Sequence, residues 1–135
     1  MNREALASRL RDTPLHADEA YKAAKHALDE YVGALGSNMS EGLEAGRLLM
    51  VVEPGYLLNI GQQLNVVVRV PGLGVEDVLF RAYIPPTGFP VNLDLYDAEP
   101  VACADEDALG EAILQFVAQP AVRNRLATLR EMAQN

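Results

Sequence analysis

LNVVVRVPGLGVEDVLFRAYI, residues 64–84, decides the fold. Leu64, Val66, Val68 and Val70 stand at every second position, separated by Asn65, Val67 and Arg69. Val78, Phe80, Ala82 and Ile84 repeat the pattern between Asp77, Leu79, Arg81 and Tyr83. A period of two marks a strand with one buried face. Pro71-Gly72-Leu73-Gly74 joins the two runs. Parallel pairing needs a crossover of a dozen or more residues, so these strands pair antiparallel.

The same pattern extends outward. Val91, Leu93 and Leu95 alternate with Asn92, Asp94 and Tyr96, after the turn-rich Pro85-Pro86-Thr87-Gly88. Upstream, the apolar run Leu48–Val52 meets Pro54-Gly55, which reads as a turn, with Tyr56–Ile60 returning as a second strand. Val101–Ala104 reads as one more short strand or an extended link. The expectation is a four- to five-stranded antiparallel meander.

Helical periods flank it. Arg3–Arg11 reads as a short helix, and Thr13-Pro14 as the start of a longer one. Ala17, Tyr21, Ala24, Leu28, Tyr31 and Leu35 fall at spacings of 4, 3, 4, 3 and 4, one stripe of a helix ending at Gly33 or Gly36. Such a stripe docks on the chain's own sheet or forms a two-helix seam across a dimer. Residues 36–46, GSNMSEGLEAG, read as a loop. Near the C-terminus, Leu109, Ile113, Phe116 and Val117 share one helix face. Pro120 opens another helix, with Val122, Leu126, Leu129 and Met132 or Ala133 as its stripe. Helices, then strands, then helices predict an α+β domain over 1–135: an N-terminal helix or helix pair, the meander, and two C-terminal helices.

Charge narrows the function classes. The net charge is −8, and residues 94–111 hold seven carboxylates and no basic side chain. Such a chain repels phosphates, so nucleic acid is not an expected partner. The N-terminus MNREALASRLRD lacks the apolar segment of a signal peptide, and no apolar run approaches the roughly 20 residues of a membrane span. One cysteine, Cys103, excludes an internal disulfide framework and suits a reducing compartment, so a cytoplasmic location and no membrane partner are expected.

No motif for chemistry stands out. Asp105, Glu106 and Asp107 precede the apolar period of a helix, where carboxylates satisfy orphan N–H groups and the positive end of the dipole. The spacing in DLYDAEPVACAD does not match a calcium loop. His16 and His26 lie on different helix faces, and Cys103 has no second cysteine, so no metal and no cofactor are expected. Gly72-Leu73-Gly74 has Asp77 where a dinucleotide loop needs its third glycine, and reads as a hairpin turn. Carboxylates beside Cys103 raise its pKa and disfavour a nucleophilic role.

What remains is surface. Val67, Leu79, Tyr83 and Tyr96 fall on the face of the strands expected to be polar, an apolar patch unless a helix covers that face as well. Asp97 and Glu99, in a turn, and Asp105 and Glu106 form an acidic strip suited to steering a basic protein partner. Small size, acidity and helix–sheet–helix order resemble secretion chaperones and immunity proteins at the level of class, without a shared motif. The reading is a non-catalytic protein-binding module (adaptor, chaperone-like or neutralising partner), with a homodimer expected through the Ala17–Leu35 stripe, the outward sheet face, or both. The alternative is a small hydrolase or ligand-binding enzyme using carboxylates of residues 94–107.

Overall fold

A computed structural model describes residues 1–12, 18–59, 61–95 and 98–135. In chain order these form α1 (Arg3–Arg11), α2 (Glu19–Ser40), β1 (Leu49–Leu58), β2 (Gly61–Val70), β3 (Val75–Ile84), β4 (Val91–Asp94), β5 (Val101–Cys103), α3 (Glu106–Ala118) and α4 (Pro120–Gln134). A single 3-10 turn, Pro71–Leu73, links β2 to β3. The strands pair antiparallel in the order β1-β2-β3-β4-β5, so the sheet is a meander and the protein is α+β, as its alternation predicts.

The register contains a break that simple alternation misses. Val66 faces Phe80, but Val67 faces Val78, so Leu79 is an extra residue in β3. A bulge of this kind reverses which parity points inward. Before it, Val75, Asp77 and Leu79 share the face of Val68 and Val70; after it, Phe80, Ala82 and Ile84 do. Leu79 is therefore fully buried in the main core, not on the outward face. Val78 takes the outward place that the unbroken alternation assigned to Leu79.

A second correction concerns Pro54-Gly55. The segment is not a turn between two strands but a bulge inside one edge strand, with the register shifting between Pro54 and Leu57. An edge tolerates proline because its missing N–H need not enter a ladder. The bulged backbone finds side-chain partners: Tyr56 N–H donates to Gln63 Oε1 at 3.1 Å, and Gln62 Nε2 donates to the Gly55 carbonyl at 3.1 Å. The reversal comes after Leu58, where Leu58 faces Gly61.

Helix α2 begins with Asp18, whose carboxylate accepts from Ala20 N–H at 2.8 Å. The expected start at Thr13-Pro14 and the first stripe residue, Ala17, lie outside the described residues. The helix runs through Gly33 and Gly36 to Ser40, longer than the glycines suggested. Packing outweighs propensity here: Val32 and Met39 are buried, and a Cβ on Gly36 would stand 3.2 Å from Met50 Cβ on β1. Helix α4 secures the end of α2, since the Arg130 guanidinium donates to the Met39 and Glu41 carbonyls. A cation at orphan carbonyls is the favourable match to that end of the dipole.

The core is one cluster. Ala24, Leu28 and Val32 of α2, Leu109, Ile113 and Phe116 of α3, and Val122, Leu126 and Leu129 of α4 meet the inward strand residues Leu64, Val66, Val68, Phe80, Ala82 and Leu93. Phe80 and Phe116 pack edge to face, with ring centroids 5.7 Å apart. The described stripe residues of α2 thus pack into the chain's own core, Ala24 and Leu28 fully and Tyr21, Tyr31 and Leu35 in part. The expected C-terminal stripes are buried except at Val117, which is half-buried, with Ala133 rather than Met132 completing the last. No helix among the described residues is long and apolar enough to cross a membrane.

Candidate interaction face

Helices α2, α3 and α4 all contribute to the core cluster on one side of the sheet, and Val67 on the other side belongs to no part of it. That second face reads as rows across the strands. Leu49, Arg69 and Glu76 form one row, and Val51, Val67 and Val78 the next. Glu53, Asn65, Arg81 and Asp94 form a third; Gln63, Tyr83, Asn92 and Ala102 form a fourth. The face is a valine row between polar rows.

The polar rows are internally matched. Arg69 pairs with Glu53 on one neighbouring strand and with Glu76 on the other, at 3.4 Å. Arg81 Nε donates to Asn65 Oδ1 at 3.2 Å. By register, Arg69 lies level with Leu49 and Asn65 level with Glu53. To meet Glu53, Arg69 must extend along the sheet past the level of Val51 and Val67, so the ion pair lies as a strap over the valine row. Val67 is only 1% exposed on this face, which α2, α3 and α4 do not cover. Val51, Val78 and Tyr83 remain half-buried and Leu49 exposed.

Of the residues singled out from sequence, Val67 and Tyr83 do share this face, whereas Leu79 is in the core and Tyr96 lies outside the described residues. Sequence reasoning missed Leu49, Val51 and Val78. The bulge hid Val78, and reading β1 as two short strands hid the parity of Leu49 and Val51.

The acidic strip separates into local roles. Asp105 caps α3, its carboxylate accepting from Ala108 N–H at 2.8 Å. Glu106 and Asp107 occupy the first turn. The Glu106 carbonyl accepts the Tyr31 hydroxyl proton at 3.0 Å, joining α2 to the start of α3. Glu99 is exposed, Asp94 faces the open side of the sheet opposite Arg81, and Asp97 lies outside the described residues. Loss of hydration, followed by the nearby Glu106, Asp107 and Asp105 charges, raises the Tyr31 pKa above its ordinary value. Cys103 is buried, and burial, then Asp105, pushes its thiol up as well. His26 is paired with Glu30 along α2 at 3.3 Å, and His16 lies outside the described residues. Among the described residues, no group of three or more His, Cys, Asp or Glu is arranged to hold a metal ion.

The tip of the β1–β2 hairpin is a separate apolar feature. Tyr56 and Leu57 are 78% and 79% exposed, and beside them runs a groove of about 460 Å³. Compared with family models, curated proteins and solved structures, the chain finds no match.

Proposed function

We propose that the chain is a non-catalytic protein-binding module, an adaptor, chaperone-like or neutralising partner, and that it receives its partner on the open face of the sheet. The observation that carries this reading is half-buried Val51 and Val78, flanking the covered Val67, on a face with no packed helix from α2 to α4. An apolar centre inside a polar rim is the usual anatomy of a protein interface. Arg69 is paired with Glu53 and Glu76, and Arg81 with Asn65, so covering that face leaves neither arginine without a partner. Glu99 and the carboxylates of Asp105 and Glu106 supply a field that attracts a basic partner without lying in the contact itself.

The test is a photo-crosslinking residue placed either at Val78, on the open face, or at Glu30, on the exposed side of α2. A protein captured from Val78, absent from the Glu30 sample, and lost when Val51→Lys and Tyr83→Lys are added to a still-folded chain supports the reading. Equal capture from both positions, or capture indifferent to the lysines, removes it. Once a partner is in hand, Glu99→Gln should slow its association, most clearly at low salt.

A further inference from the structure

Besides the open sheet face, two apolar features of the described residues stand exposed. The first is α1. Its nine residues contain no buried side chain, and Leu6 and Leu10, one turn apart on the same face, are 49% and 45% exposed. A helix this short is not stable in water by itself and needs a surface to lie on. The second is the hairpin tip, where Tyr56, Leu57 and Leu58 stand exposed beside a groove lined by Tyr21, Leu57, Leu58, Ile84, Pro86 and Asp18. No residue of α1 lines that groove, so within one chain the two surfaces do not meet.

We propose that α1 of one copy docks into the hairpin-tip groove of a second copy, so that two chains exchange N-terminal arms. Charge favours this occupant. Arg3, Arg9 and Arg11 outweigh Glu4 in α1, a net of +2 in a chain of −8. The groove is bordered by Asp18, and the next residue, Glu19, is 84% exposed and pairs with Lys22 at 3.4 Å, so Asp18, Glu19 and Lys22 leave that lip with a net of −1. A basic amphipathic arm and an acid-lipped apolar groove are complementary, and the match offsets the repulsion that two chains of −8 otherwise feel. The exchange closes on itself: each chain gives one arm and accepts one, as a two-fold assembly requires. The hairpin tip is distinct from the open sheet face, so this proposal stands apart from the protein-binding reading above.

Six residues, 12–17, separate α1 from the Asp18 cap of α2, a reach of up to roughly 24 Å that could serve its own groove or a neighbour's. The experiment therefore distinguishes the two. Leu10→Cys protein labelled with heavy nitrogen is mixed with unlabelled Leu57→Cys protein and treated with a short bismaleimide; buried Cys103 serves as the unreactive background. The expected product is a covalent mixed dimer, and the variant carrying both cysteines in one chain should give dimers in preference to an internally bridged monomer. Sedimentation equilibrium should show a dimer that Leu57→Asp, or Leu6→Asp with Leu10→Asp, converts to monomer while urea unfolding stays that of a folded protein. A wild-type monomer at the highest attainable concentration overturns the proposal. So does internal bridging of the double-cysteine chain, or a dimer indifferent to these aspartates.

Discussion

Arg125 on α4 holds Asp77 on β3 side-on: Nε lies 2.6 Å from Oδ2, a terminal nitrogen bonds Oδ1, and the same nitrogen reaches the Val78 carbonyl at 3.3 Å. Asp77 is on the helix-covered face of the sheet, just before the bulge, so this is how a carboxylate is accommodated at the margin of the core. The side chains are 37% and 26% exposed, which discounts the pair for solvent screening. Arg125→Met and Asp77→Asn should each cost about 1–2 kcal/mol, with the double variant little worse than either alone. Urea titrations of the four proteins measure the coupling, and additive losses would mean that the two side chains act independently.

The bulge makes neighbouring residues respond in opposite ways. Leu79→Asp should cost about 3 kcal/mol or more, because it buries a charge in the main cluster. Val78→Asp, on the open face, should cost about 1 kcal/mol. A regular strand would reverse the order, so denaturant midpoints of the two variants test the register directly.

Gly110 lies where α2 crosses α3. A Cβ there would stand 2.6 Å from the Tyr31 ring, whose hydroxyl is tied to the Glu106 carbonyl. Alanine in an exposed helix stabilises by roughly 0.5–1 kcal/mol relative to glycine. Gly110→Ala should instead destabilise this protein, and Tyr31→Ala should restore part of the loss in the double variant. Thermal melts of the three proteins decide it.

Alkaline pH should weaken the fold. Tyr31 and Cys103 both have folded-state pKa values raised above ordinary values of 10.0 and 9.0, chiefly through burial. Each group binds its proton more tightly folded than unfolded, so its contribution is complete below the unfolded value and is lost as pH rises through the folded one. Stability should decline from about pH 9 upward, and Tyr31→Phe should flatten the upper part of that decline. The Cys103 thiol should react slowly with a thiol reagent at neutral pH and quickly in urea.

The strands and the C-terminal helices were legible because their signals are periodic and local. Leu64 to Val70 shows its buried face directly, and Leu109, Ile113 and Phe116 show theirs. The misreadings arise where one residue changes the phase or where distant packing overrides a local preference. Leu79 looks outward in a list of alternating residues, and only its pairing partners show the bulge. Pro54-Gly55 has turn chemistry, yet Gln62 and Gln63 on the adjacent strand satisfy a bulge there. Gly33 and Gly36 are helix enders by propensity, but Met39 has core to fill beyond them. The candidate face was half legible for the same reason: Val67 and Tyr83 follow from alternation, whereas Val78 depends on the β3 bulge and Val51 on β1 being one strand.

Because the strands lie side by side in the order they are made, each can pair with its predecessor as soon as it leaves the ribosome. Pairings that close short loops are quick to form. The half of the roof built from α3 and α4 arrives last. Until residues 106–134 are complete, Phe80 lacks its Phe116 partner, and the sheet beneath α4 is bare to the cell. A released chain truncated after Ala104 should therefore be caught by chaperones or aggregate, although all five strands are present.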